Sequence, residues 1–243
     1  MYRARASLTE SVKEWLLKEI TSGSIEKNGK LPSETELAAM AGVSRGTIGR
    51  VLSMMEQDGL VTRKHGLGTF VHPKTALMSS RIDYTEEFTR LIANNGYTPG
   101  IEYIGAQETL PEPRVARYLS LRPGETVLEI KKAFLADGMP IIWCNNIVPQ
   151  KSVREPYEQD ELKRPVYEFL EARCHKQVAY EVVEIVPVLA GMEVGAHLRC
   201  DPNTPCLLIE ALSFDAQNDP VMFSYQYFRE DKIRFKAVRK FRR

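Results

Sequence analysis

The chain has 243 residues, 43% of them hydrophobic and 27% charged, with a formal net charge of +1. That length allows one large core or two ordinary ones. A near-neutral total neither requires nor excludes a polyanionic partner, because a local basic patch can hide within it. No apolar run approaches the ~18 residues of a membrane span. The opening MYRARASLTES lacks the apolar middle of a secretory signal, so a cytoplasmic location is expected. Cys144, Cys174, Cys200 and Cys206 include no C-x-x-C pair, and only four histidines accompany them. A zinc site, a disulfide framework and a resident cofactor are therefore not expected.

The first segment reads as three helices and a hairpin. Ser7 and Glu10 have capping-box spacing, Val12, Leu16 and Ile20 follow a helical period with Trp15 alongside, and Gly23 suits a stop. Ser33 and Glu36 repeat the capping signature, before a short helix with Leu37, Met40 and Ala41 as its expected buried stripe and Gly42 at its end. Ser44 caps a third helix in which Ile48, Val51, Leu52 and Met55 face inward, and Gly59 closes it. LVTR (60–63) and TFV (69–71) then read as strands joined by KHGLG. Residues 72 to about 80 have no period and read as a linker.

The remainder is strand-rich and contains an internal repeat. VARYL at Val115–Leu119 precedes Pro123 and TVLEI, and VGAHL at Val194–Leu198 precedes Pro202 and PCLLI, an offset of 79 residues. Each strand runs into a turn, Asp137-Gly138 or Asn218-Asp219, and then into a second strand. Two helix-hairpin units in one mainly antiparallel sheet are expected.

Two short helices joined through AGVS form a helix-turn-helix arrangement. The second begins SRGTIGR, and its expected outward residues are Arg45, Gly46, Thr47, Gly49 and Arg50. Between residues 44 and 55 there are two arginines and no acid. Arginines read guanine edges in a major groove, small residues admit the backbone, and hydroxyls such as Ser33, Ser44 and Thr47 hold phosphates. Ser33 and Ser44 also serve as N-caps whether or not DNA is near. The hairpin tip, with Lys64, His65, Gly66 and Gly68, is basic and glycine-rich and suits a wing on a minor groove or a phosphate row.

LPSETELAAMAGVSRGTIGRVLSMMEQDGLVTRKHGLGTFV resembles the N-terminal domain of the GntR family of bacterial regulators. The resemblance implies a winged helix-turn-helix, a homodimer and a two-fold symmetric double-stranded operator. It puts Arg45, Thr47, His65 and Gly66 at DNA-contacting positions. Thr35 and Gly49 stand where the family often has arginine, which implies an altered base preference.

The second half, with YLSLRPGETVLEIKKAFLADGMPI, PVYEFLE, AHLRCDPNTPCLLIE and DPVMFSYQYFREDKIRF, resembles the UTRA sensing domain of the HutC subfamily, a chorismate-lyase-like fold. Together these readings give an α+β chain: DNA-binding domain 1–72, linker 73–80 and effector-sensing domain 81–243. Sugar-phosphate-responsive members tend to carry two arginines where Lys132 and Phe134 stand, a carboxylate where Cys144 stands and a serine where Pro165 stands. Losing that clamp argues against a sugar phosphate. What remains, Lys132 and the free N–H groups of the helix at Val166 and Tyr167, points to a small anionic metabolite with an apolar body. Phe134, Trp143, Tyr225 and Tyr227 would give it aromatic walls, and Tyr84 and Thr85 open the domain where family members often contact ligand. The expected role is a repressor released from a palindromic operator. The alternative is an enzyme on the lyase-like fold, but no Ser/His/Asp or Cys/His spacing supports one.

Overall fold

The computed structural model describes residues 8–25, 29–72, 80–229 and 231–239. The chain divides into two compact units, 1–81 with 236–243, and 82–235. Sequence reasoning assigned the whole C-terminal tail to the second domain. Residues 236–239 instead group with the first unit, where the Lys236 N–H donates to the Ser80 carbonyl at 2.9 Å.

The first unit contains α1 (Leu8–Thr21), α2 (Glu34–Ala41), α3 (Arg45–Gln57), β1 (Val61–Lys64) and β2 (Gly68–Val71). Local chemistry fixes most of these boundaries. At Ser33 both halves of the capping box form, and Gly42 ends α2 in the left-handed region at φ 65°. Ser44 caps α3 by accepting from the Thr47 N–H. The expected cap at Ser7 lies outside the described residues. Val12, Leu16 and Ile20 of α1 pack with Leu37, Ile48, Val51, Leu52 and Met55 in one core. One expectation fails within α2. Met40 is half exposed, and Ala38 takes the buried position beside Leu37. β1 and β2 pair antiparallel from Val61↔Val71 to Lys64↔Gly68. Residues Gly29 to Leu31 run along the other side of β2, with Val71 N–H to Gly29 O at 2.8 Å and Leu31 N–H to Thr69 O at 2.9 Å. The wing is thus tied at its base to the segment that leads into α2.

The second unit contains α4 (Phe88–Asn94), β3 (Pro99–Thr109), α5 (Pro113–Tyr118), β4 (Val127–Ala136), β5 (Met139–Pro149), α6 (Val166–Cys174), β6 (Tyr180–Leu189), α7 (Gly191–Leu198), β7 (Pro205–Phe214) and β8 (Pro220–Arg229). The strands form one antiparallel sheet in the order β3-β4-β5-β8-β7-β6. The internal repeat explains this order. β3-α5-β4-β5 and β6-α7-β7-β8 are equivalent units, and they meet at the central pair β5 and β8. The turns need left-handed residues at Asp137, Gly138 and Asn218, which adopt φ 51°, 81° and 65°.

Both faces of the sheet's central strands are covered, while β6 is largely exposed. On one, Leu128, Ile130 and Val148 lie under α6, and Phe134, Ile142 and Ile209 lie under α4. On the other, Val127, Ile147 and Phe223 pack against α5, and Trp143 and Cys206 against α7. A central strand buried on both faces loses the polar alternation that would announce its parity in sequence.

Candidate functional site

In the first unit a groove opens between the N-terminus of α2, the N-terminus of α3 and the wing. Ser33, Thr35, Arg45, Lys64, His65, Gly66 and Gly68 all line it. Lys30 and Arg63, which sequence reasoning missed, join them. The groove also holds Glu34, Glu36 and Glu56, yet each carboxylate is engaged locally. Glu36 caps α2 through the Ser33 N–H at 2.8 Å, and Glu56 accepts from the Arg63 backbone N–H at 2.7 Å. Glu34 bridges Arg63 at 2.6 Å and Arg45 at 3.3 Å. One acid therefore holds an arginine of α3 and an arginine of the wing strand to the same point. Such exposed pairs are worth at most about 1 kcal/mol and yield readily to a competing anion.

α3 departs from expectation at one residue. Thr47 is buried, and its hydroxyl lies 2.8 Å from that of Ser44. The side chain closes the N-terminal turn rather than facing outward. Ser44, Arg45, Gly46 and Arg50 are exposed. Gly49 is half-buried, and a Cβ there would stand 4.0 Å from Glu34 Oε2, ordinary contact distance. The space for a side chain at that position exists.

The wing depends on Gly68, which adopts φ 109°, where an added Cβ would come within 2.7 Å of Lys30 Cε. Gly68→Ala should cost about 1–2 kcal/mol of stability, mostly backbone strain, because the lysine end can move away. Urea unfolding of the full chain measures this. An unchanged midpoint would show that the wing turn has no need of glycine.

In the second unit the expected sensor residues separate by face. The register pairs Lys132 with Cys144, Phe134 with Ile142, and Cys144 with Gln226. Lys132, Phe134, Cys144 and Gln226 therefore share the face covered by α4 and α6. Phe134, Cys144, Val166 and Tyr167 line a narrow recess there, with Glu86, Glu87, Phe88, Asn146, Pro165 and Gln226 completing it. The aromatic wall is formed by Phe88 and Phe134, edge to face at 4.9 Å. Tyr225 and Tyr227 do not belong to this site. They point to the opposite face with Trp143, where Tyr225 packs on Phe223 and Tyr227 on Trp143. A one-residue step along a strand reverses the face, and sequence left that parity open. Tyr84 and Thr85 do not line the recess either. Tyr84 is exposed, and the Thr85 hydroxyl donates to Glu181 Oε2 at 3.0 Å.

The electrostatics of the recess are mixed. Lys132 is not among the lining residues; it is 1% exposed next to Cys144 on the paired strand, and its ammonium donates to the Arg164 carbonyl just before α6. Burial pulls its pKa down to about 8, opposed by the nearby Cys144, Glu87 and Glu168. Burial likewise pushes the Cys144 thiol up to about 11. Glu87 caps α4 through the Thr89 N–H at 3.0 Å. Glu86 accepts from Asn94 Nδ2 at 2.6 Å, and burial raises its pKa. The Asn146 amide donates to Cys144 Sγ at 3.4 Å, and that of Gln226 to Ser224 Oγ at 2.7 Å. Their amide oxygens remain as acceptors. Tyr167 is anchored at its far end on Glu181 at 3.3 Å. Free space in the recess is about 20 Å³, room for a water molecule, whereas sites for metabolites run to roughly 300 Å³ or more. A metabolite would fit only if the gap between α4 and the start of α6 widened.

The two units have counterparts in known proteins. Residues 8–71 match the model of bacterial regulatory proteins of the gntR family, and residues 94–234 match the UTRA domain. The histidine utilization repressor of Pseudomonas putida is 29% identical over 205 residues, 84% of this chain and 81% of that protein. The HTH-type transcriptional repressor NagR of Bacillus subtilis is 25% identical over 225 residues, covering 92% and 91%. Among solved structures, YydK from Bacillus subtilis, described as a possible transcriptional regulator, superposes with a TM-score of 0.76 at 16% identity, covering 97% of this chain and all of that one. The chain belongs to the gntR family of bacterial regulatory proteins, as a member whose second unit is a UTRA domain, and is a ligand-responsive DNA-binding regulator.

Proposed function

We propose that the chain is a homodimeric repressor that holds a palindromic operator through the groove-lining residues of its first unit and is released by a small metabolite entering the α4–α6 recess. The observation that carries the DNA-binding part is the groove itself. It gathers Lys30, Arg45, Arg63 and Lys64 around a helix N-terminus and a glycine wing, while every acid among its lining residues is already engaged. Two relatives named as repressors support the sign of regulation. An operator with half-sites one helical turn apart, about 34 Å, suits a two-fold dimer.

The recess favours an effector with two unlike ends. An anionic group would take the Lys132 ammonium from the Arg164 carbonyl and meet the first N–H groups of α6. A hydrogen-bond donor or cation at the other end would meet Glu86 and the amide oxygens of Asn146 and Gln226. The apolar body would lie against Phe88 and Phe134. This refines a purely anionic ligand, because carboxylates share the lining.

The test is fluorescence anisotropy of full-length dimeric protein on DNA from around its own gene. Specific binding should exceed binding to scrambled DNA by about 10³-fold or more at physiological salt, and weaken steeply as salt rises. Equal affinity for both DNAs at low salt would defeat the regulator reading.

A further inference from the structure

The chain crosses between its two units twice, from Arg81 to Ile82 and from Phe235 to Lys236. In the second unit, Ile82 and Phe235 pack into the core that contains Leu91 and Ile92 of α4 with Phe134 and Cys144. Phe134 and Cys144 also line the recess. In the first unit, the Lys236 N–H donates to the Ser80 carbonyl at 2.9 Å, and Arg81 and Lys236 lie side by side in a parallel bridge. The two crossings are thus tied together where they leave the first unit. Ser80 is 4% exposed and holds φ 59°, a conformation that residues other than glycine rarely adopt. Such strain persists only where the surroundings enforce it, and it gathers at switch regions.

The Arg81 side chain connects this tie to the reading head. Its Nη1 donates at 2.8 Å to the carbonyl of Asp58, the C-cap residue of α3. The last carbonyls of a helix lack partners within it, and its negative end favours a cation. The Asp58 carboxylate is paired with Lys13 of α1 at 2.6 Å, so the cap residue is itself fixed within the first unit.

We propose that Arg81 is a positioning residue that clamps the double crossing to the C-terminal end of α3, so that displacements of the core around the recess reach the recognition helix. The reading rests on the effector-released repressor proposed above and names the residue through which release arrives. Close packing hands a displacement to Ile82 and Phe235. One peptide bond carries it from each to Arg81 and Lys236, and the guanidinium carries it to α3. An unclamped linker would let the reading head turn freely and would pass nothing on. The rival reading is a plain helix cap, which would stabilise α3 and have no effect on where that helix is presented.

Operator spacing separates the two. Anisotropy of the full chain is measured on the specific site from around its own gene, on a single half-site, and on the site with two base pairs inserted between half-sites. The insertion moves one half-site by about 7 Å and turns it by about 70°. The wild type should bind the lengthened site at least ~30-fold more weakly than the natural one, within the usual range of coupling between sites. Arg81→Ala should bind the single half-site like the wild type, yet lose most of the spacing penalty, down to about 3-fold. Arg81→Lys keeps one donor for the Asp58 carbonyl and should restore most of the penalty. A wild type indifferent to spacing would overturn the proposal. So would an Arg81→Ala chain with the wild-type penalty, or one weakened equally on all three DNAs as a cap predicts. Hydrogen exchange on the free chain gives a reading that needs no DNA. The Lys236 amide should be protected in the wild type and markedly less so in Arg81→Ala, with the amides of Val51 and Leu52 in mid-α3 unchanged. An unprotected Lys236 amide in the wild type, or equal protection in both chains, would equally overturn it. A wild type that binds no specific DNA would instead defeat the regulator reading, and the exchange of Lys236 would still decide the clamp.

Discussion

Arg45→Ala is expected to weaken operator binding by roughly 30- to 10⁴-fold while leaving the fold intact. A bidentate arginine–guanine contact contributes about 1–3 kcal/mol of discrimination, and a dimer loses two. Stability should barely change, because the Arg45 side chain is 73% exposed and its ion pair with Glu34 is a surface one. The loss should concentrate at one base position per half-site. Arg50→Ala supplies the contrast. Arg50 does not line the groove, so its removal should reduce affinity modestly and evenly across sequences, with a smaller salt slope. Anisotropy titrations against a set of single-base operator variants distinguish the two patterns. An Arg45→Ala protein with wild-type affinity and specificity would remove this residue from the reading head. Glu34 sharpens the expectation, since it holds Arg45 and Arg63 together in the free protein and must give up both when phosphate or base replaces it.

The parts legible in sequence are those with local causes. The capping box at Ser33, the cap at Ser44, the left-handed Gly42 and the stripe Ile48, Val51, Leu52, Met55 depend on residues within one or two turns, and they fold as read. Even the miss at Thr47 has a local signal. Positions 47, 48, 51, 52 and 55 form one continuous helical stripe once a hydroxyl is allowed in it, and Ser44 stands ready to bond that hydroxyl. The repeat was also legible, because helix, proline, strand and turn recur in the same order.

The losses are of another kind. Tyr225 and Tyr227 flank Gln226 in a strand buried on both faces, so no period distinguishes the recess side from the other. The register with β5 settles it, and register is a property of two strands about eighty residues apart. Glu86 and Glu87 meet Phe134 and Cys144 only through the fold. Arg63 reaches Glu34 across 29 residues. The chemistry of the recess changed character for this reason. From sequence it had one ammonium and a helix start, and in three dimensions it acquires two carboxylates and two amides.

Lys132→Met should change the pH dependence of stability strongly between pH 7 and pH 10.5. The folded chain holds the Lys132 proton less tightly than the unfolded chain, with a pKa of about 8 against 10.5. Below pH 8 the lysine is charged in both states, and its burial costs the folded chain in full. Between 8 and 10.5 the unfolded chain binds more protons, so stability rises with pH through that window. The wild type should therefore gain about 3 kcal/mol relative to Lys132→Met between pH 7 and pH 10.5. Tyr167, raised by burial, titrates in both chains and largely cancels in the difference, whereas Cys144 interacts with Lys132 and contributes to it. Urea unfolding of both proteins at the two pH values measures it, and parallel pH profiles would show that the ammonium is not held in a dry site. The same replacement tests its use. Methionine fills the buried stem but offers no charge, so the variant should bind operator with wild-type affinity and fail to release it at effector concentrations that free the wild type. A variant that is released normally would place the effector's anionic end somewhere other than Lys132. A buried charge that costs the resting protein this much stability is one that a ligand can satisfy, and the energy recovered then is available to widen the gap between α4 and α6.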